Sequence, residues 1–163
     1  MNRYKIFAAT ATVSLILDQL TKIYIDTAFQ LHESVEVIKN FFHITYVRNP
    51  GAAFGILSDS SIRIPFFIAV SIIASLAILW YQRKVDIADH WQNTALGLIF
   101  SGAVGNLIDR VRLGEVIDFL DAHWYQHHWP AFNVADSAIC VGVALMFLCT
   151  WREERQKKLS SSN

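Results

Sequence analysis

Two short stretches hold the acids that catalysis would need. In GNLIDRVRLGEVIDFLD, residues 105–121, the carboxylates Asp109, Glu115, Asp118 and Asp121 follow an apolar run, and in FNVADSAI a further acid, Asp136, opens the next one. An ionised side chain in an apolar segment costs a few kcal/mol on membrane-insertion scales, so each acid there needs a reason. Asp109 directly precedes Arg110 and lies close to Arg112, and cationic neighbours hold a carboxylate ionised; its expected job is to fix the helix end. Asp118 instead stands among Val116, Ile117, Phe119 and Leu120. Desolvation there raises a carboxyl pKa, which suits a group that gains and loses protons. Glu115 and Asp121 read as solvated.

Asp136 has two readings. Negative charge is favoured in the first turn of a helix, and Asn133 has the side chain of an N-cap. Yet the apolar segments at about 91–108 and 134–151, each long enough to cross a bilayer, are joined by a connection that returns to the same membrane face, so Asp136 and Asp118 can meet at one depth. Two carboxylates in contact do not both ionise easily: one keeps a proton while the other acts as base. Such a pair activates water for attack on a peptide bond with neither a metal nor a nucleophilic side chain.

Other candidates carry less. Asp18 and Lys22 lie four apart on one helix face and can pair, with Lys22 snorkelling to the outer interface; Asp18 reads equally as support and as a reacting group. His123 and His127 share the spacing of two metal ligands, but no second ligand set converges on them. Tryptophan and tyrosine interleave them in HWYQHHW, which fits an aromatic interfacial belt, so no metal and no other cofactor is expected. Ser14, Ser71 and Ser101 lack the base and orienting group of a serine hydrolase. Cys140 and Cys149 are nine positions apart, about 900° around a helix and therefore on opposite faces; they read as small buried residues.

The elements that must position these groups are apolar. The chain has 163 residues, 53% of them hydrophobic and only 17% charged. Four blocks, about 6–25, 62–81, 91–108 and 134–151, approach the roughly 17–25 residues that cross a bilayer as a helix. The last, VADSAICVGVALMFLCTW, shows no polar stripe of the kind a soluble amphipathic helix carries. The formal net charge of zero gives no sign of a nucleic-acid surface, and the apolar blocks make membrane lipids the surroundings. Arg3 and Lys5, Arg83 and Lys84, and Arg152, Arg155, Lys157 and Lys158 flank segments on one side, which predicts cytoplasmic termini. Asp18-Gln19 follows the first apolar stretch where a small-residue cleavage site would stand, so segment one reads as a retained helix.

The loop at about 26–61 is the largest piece outside these blocks. FFHITYVRN alternates apolar and polar residues from Phe42, a strand-like period, and Asn49-Pro50-Gly51 and Gly55 supply turn chemistry. Gly97, Ser101 and Gly105 at steps of four predict close approach of segment three to a neighbouring helix. The expected fold is an all-α integral membrane protein. It has four transmembrane helices and a small β-rich extracytoplasmic element, forming one domain over residues 1–163.

DQLTK at 18–22, NPGAAFG at 49–55, GNLIDR at 105–110, VIDF at 116–119 and FNVADS at 132–137 together resemble the bacterial lipoprotein signal peptidases, or signal peptidase II. The motifs run in order through all four segments and span nearly the whole chain. The resemblance implies an aspartic endopeptidase of the bacterial cytoplasmic membrane. Its substrates would be prolipoproteins whose cysteine bears a diacylglyceryl group, cleaved just before that cysteine. It also implies that Asp118 and Asp136 are the catalytic dyad. Asn49, Gly51, Asn106, Arg110 and Asn133 would shape the site or contact substrate, while Asp18, Lys22 and Asp109 would support the surrounding helices. A monomer would suffice, with its active site near the extracytoplasmic face. One departure is Ser101-Gly102, where the family often has two glycines; serine is small enough to keep the packing. The alternatives are a small proton- or cation-coupled transporter, which predicts acids near the bilayer midplane, and a non-catalytic assembly factor using the small-residue face of segment three.

Overall fold

The computed structural model describes residues 4–51, 62–125 and 127–161. Residues 52–55 of the NPGAAFG motif, including Gly55, lie outside them. Four helices, α1 (Lys5–Ala28), α2 (Arg63–Gln82), α3 (His90–Leu113) and α4 (Val134–Ser161), carry four strands between them: β1 (Ser34–Ile38), β2 (Phe42–Asn49), β3 (Val116–Trp124) and β4 (His127–His128). The strands pair antiparallel in the order β1-β2-β3-β4.

The alternation from Phe42 is strand β2, but the sheet is not built from one loop. Its third strand, VIDFLDAHW, follows α3, and β2 pairs with it so that Val47 lies opposite Asp118 and Asn49 opposite Val116. Asp118 therefore sits on a strand, at the end of the sheet nearest the helices.

The inside and outside of this molecule are inverted relative to a water-soluble protein. Its largest fully buried side chains are Lys22, Gln82, Asn93, Asn133, Asp18, Asp109 and Ser101, while Val13, Leu20, Ile73, Leu76 and Phe147 face outward. In lipid the hydrophobic effect does not separate inner from outer apolar faces, and buried polar groups bind helices together. Three helices, α1, α2 and α4, are long and apolar enough to cross a membrane. α3 is the helix with buried Asn93, Asn106 and Asp109, and it packs against all three others.

α3 also ends later than its apolar run. The hydrophobic stretch stops at 108, yet the helix continues to Leu113 and closes on Gly114 in the left-handed region at φ 74°, whose N–H donates to Arg110 O. Asp109 thus lies inside the last turns rather than at the end. At its start, the Asp89 side chain caps the helix by accepting from Gln92 N. α4 likewise runs past Trp151 to Ser161, and residues 152–160 of this extension are exposed.

The small residues of α3 serve two neighbours. A Cβ on Gly97 would meet α1 at Phe7 O, whereas one on Gly102 would lie 2.3 Å from Ala135 O, a backbone atom of α4. Gly102→Val is expected to force α3 and α4 apart and to cost about 1–3 kcal/mol, as overpacking does. Thermal unfolding of the purified protein in detergent measures it as a Tm several degrees lower; an unchanged Tm would show that the contact is soft.

Candidate active site

Asp118 and Asp136 are brought together by one asparagine. Asn133 is fully buried and caps α4, and its side-chain Oδ1 accepts from Asp136 N at 2.9 Å. The Asp136 carboxylate returns the bond by accepting from Asn133 N at 3.2 Å. This reciprocal pair is a capping box, with asparagine and aspartate in the roles usually held by serine and glutamate. The same Asn133 side chain donates through Nδ2 to Asp118 Oδ1 at 2.7 Å, and Ile117 O and Asn106 Oδ1 lie 3.2 Å from that nitrogen.

The remaining donors come from elsewhere in the fold. Asn49, at the end of β2, donates to Asp118 Oδ2 at 2.9 Å, and its Oδ1 accepts from Gly51 N across the turn. Asn106 on α3 donates to Asp136 Oδ1 at 2.8 Å. Arg110, one turn further along, is half-buried with its guanidinium over the Phe67 ring and reaches Gly51 O at 3.5 Å. Its charge acts on Asp136 first and Asp118 second.

The two acids sit in different surroundings. Asp118 is 2% exposed, and burial first and the Asp136 charge second push its carboxyl from the ordinary 3.8 up to about 7, against the lowering effect of the Asn49 and Asn133 donors. Asp136 is half-buried in the first turn of α4, where the helix dipole favours negative charge. Both line a cavity of about 600 Å³ with Asn49, Gly51, Asn106 and Arg110. Burial, a neighbouring carboxylate and fixed amide donors are the arrangement that lets the Asp118 carboxyl keep a proton near neutral pH.

The three remaining charged residues of the motifs lie behind this cavity. Lys22 does not snorkel to the interface: it is 1% exposed and pairs with both Asp18 (3.0 Å) and Asp109 (2.9 Å). The ion-pair partner of Asp109 is therefore Lys22, from α1, while the adjacent Arg110 acts on it only as a nearby charge. Sequence neighbours on a helix point about 100° apart, so adjacency was the weaker guide.

Other expectations change too. Asp121 is not simply solvated: its side chain is partly buried, 4.0 Å from His43 Nδ1 and 3.4 Å from Thr45 Oγ1. Glu115 is half-buried. Neither cysteine is buried: Cys140 is exposed and lines the cavity, and Cys149 is half-buried. His123 packs on the His43 ring at 4.4 Å, within the sheet rather than in an exposed belt, while Trp124 and Trp129 are exposed. Gln19 was missed by sequence reasoning. Its amide bridges Asp18 Oδ2 and Asp109 Oδ1, and no helical spacing flags a residue next to the acid it serves.

The chain is similar to known proteins over nearly its full length. The family model described as signal peptidase (SPase) II matches residues 10–152. Relatives named lipoprotein signal peptidase include one from Geobacter sulfurreducens, 59% identical over 94% of this chain and 96% of the relative. Another, from Syntrophotalea carbinolica, is 51% identical over 93% and 94%. A solved bacterial membrane enzyme, determined by the in meso method at 2.3 Å resolution, superposes with a TM-score of 0.80 at 38% identity, covering 93% of this chain and 90% of that one.

Proposed function

This chain belongs to the signal peptidase II family, and from that premise we propose how its acids perform the family's reaction. It is a multi-pass bacterial membrane enzyme, an aspartic peptidase with lipoprotein signal peptidase activity. Its substrates are prolipoproteins carrying a diacylglyceryl group on the cysteine that follows the cleaved bond. Peptidase membership displaces the transporter reading.

Asp118 and Asp136 are the dyad, and the observation that carries this is their joint attachment to the buried Asn133 inside one cavity. Asp118 holds the proton and donates it to the scissile carbonyl oxygen. Asp136 takes a proton from water as the hydroxyl adds to the carbonyl carbon. The tetrahedral adduct then collapses: Asp136 gives its proton to the amine of the lipidated cysteine, the C–N bond breaks, and a hydroxyl proton of the adduct returns to Asp118. Asn49, Asn106 and Asn133 hold the carboxylates in place, and Arg110 with Gly51 lines the path of the substrate backbone.

All four helices cross the membrane, α3 by burying its polar side chains against the other three. The N-terminus of α1, the α2–α3 connection and the end of α4 lie on the cytoplasmic side. Phe7, Val85 and Leu96 cluster at that end, Gln92 bonds Glu153 there, and Lys84 and Arg155 lie over Trp80 and Trp151. The sheet and the dyad occupy the opposite, extracytoplasmic end. An apolar groove of about 570 Å³ between α1 and α4 meets the catalytic cavity at Ser137 and Val141, which line both, and gives an acyl chain a place beside the scissile bond. A monomer suffices, since one chain supplies both acids and the side-chain amides of Asn49, Asn106 and Asn133 that bond them.

The direct test is incubation of the purified protein with a diacylglyceryl prolipoprotein, read by mass spectrometry. Release of a signal peptide ending just before the lipidated cysteine is expected, and lack of cleavage under conditions where a related peptidase works would refute the reading.

A further inference from the structure

Three buried charges lie one layer behind the dyad. Lys22 Nζ contacts Asp18 Oδ2, Asp109 Oδ2 and Asn106 Oδ1 at 3.0, 2.9 and 3.0 Å, and all three charged residues are 1% exposed. Two acids on one ammonium exceed what a brace between α1 and α3 requires, because one buried pair would already neutralise Lys22. Gln19 Nε2 lies 3.1 Å from Asp18 Oδ2 and 3.4 Å from Asp109 Oδ1, tying the two acids together.

The other bonds of these acids show where the second charge is used. Asp18 Oδ1 accepts from Ala135 N at 2.9 Å, and Asp109 Oδ2 accepts from Ile117 N at 3.3 Å. Ala135 immediately precedes Asp136, and Ile117 immediately precedes Asp118. Each acid therefore grips the backbone amide just before one member of the dyad, one on α4 and one on β3, which are joined directly through the Asn133 side chain. The Ala135 amide is one of the orphan donors of a helix's first turn, so an acceptor from another helix there fixes α4 against α1. Lys22 adds a third constraint. With Asn106 Oδ1 held toward Nζ, the Asn106 amide nitrogen must face Asp136, which it does at 2.8 Å.

We infer that Asp18, Lys22 and Asp109 form a positioning hub that sets the separation of Asp118 and Asp136, by tying the amides of Ala135 and Ile117 to one buried cation. This rests on the dyad reading above. The hub touches no substrate and acts through backbone, so its loss should lower kcat and leave KM nearly alone. A misplacement of about 1 Å costs on the order of a hundredfold in rate when two groups must act on one bond.

The test uses the full chain in detergent with a diacylglyceryl prolipoprotein. Asp18→Ala is expected to lower kcat by about ten- to a hundredfold with KM changed by less than about threefold. Asp18→Asn keeps a carbonyl oxygen for Ala135 N and should restore most of that loss. Gly105→Ala reaches the same point by steric means: its Cβ would stand 2.4 Å from Asp18 Oδ2, while every polar group stays and alanine favours the helix. It should show the same fall in kcat. Wild-type kcat in folded Asp18→Ala or Gly105→Ala overturns the proposal, as does a rise in KM alone. If both variants fail to fold, the cluster serves stability only and the proposal also falls. Asp118→Asn in the same assay separates this from the dyad reading: activity there would refute the dyad itself, whatever the Asp18 variants do.

Discussion

Asp118→Asn is expected to lose cleavage by on the order of 10³-fold or more and yet to unfold at a higher temperature than the parent at pH 8. The first half follows from the proposed dyad. An amide cannot hand a proton to the carbonyl oxygen, and removal of a positioned general acid typically costs 10²–10⁴-fold. The second half follows from the carboxyl's environment. Burial and the Asp136 charge push it from 3.8 to about 7, so between these values the folded state holds a proton that the unfolded state releases. Stability from this group is full below about pH 4, declines as pH rises toward 7, and is lost above it, by at most ~4 kcal/mol. Asparagine stays neutral and escapes that loss. It also sets its NH₂ against one of the two amide donors, Asn49 or Asn133, which takes back about 1–3 kcal/mol. The net result is a Tm some degrees higher at pH 8, with the advantage absent or reversed at pH 4. Thermal unfolding at the two pH values, beside the cleavage assay, measures both halves. A variant less stable at pH 8 than at pH 4, relative to the parent, would show that Asp118 is already ionised in the folded enzyme.

Much of this arrangement was legible in the residues, and the failures share a cause. Apolar blocks mark the helices because bilayer length is a one-dimensional constraint, and alternation from Phe42 marks β2 because side-chain direction repeats every second residue. The apolar setting of Asp118 was equally local, since Val116, Ile117 and Phe119 are its own neighbours and are buried with it. What escaped was set by contacts far apart in sequence. VIDF gives no local sign that it pairs with β2 instead of ending a helix, because a short apolar run fits either. The partner of Asp109 lies 87 positions away at Lys22, and no spacing rule reaches across elements. Lys22 itself would reach the interface were it not for two acids and an asparagine that only the packed bundle supplies. Family motifs bridged part of this gap by naming which residues matter, without saying which touch.

Asn133 is where the two kinds of information meet, and its substitutions separate capping from catalysis. Asn133→Ala strips Asp136 N of its acceptor, Asp118 of a donor at 2.7 Å, and Asn106 Oδ1 of one of its two partners. Loss of an N-cap costs about 1 kcal/mol, and a buried polar group left unsatisfied about 1–3 more. The alanine variant is therefore expected to show a clearly lower Tm together with a kcat reduced by about a hundredfold, because the two acids no longer share a fixed point. Asn133→Ser divides these effects. A serine oxygen caps a helix as well as asparagine does, so Asp136 N keeps its acceptor and most of the stability returns. Serine is too short to reach across to Asp118 Oδ1, so kcat should stay low. Asn133→Asp supplies the complementary control: it retains the cap but replaces the donor with a third carboxylate, and like charge beside the dyad should depress kcat below the serine variant. Recovery of kcat in step with Tm along alanine, serine and asparagine would mean that Asn133 acts only by holding α4. Recovery of Tm without kcat would mean that the Asn133–Asp118 bond is what makes two separate acids one site.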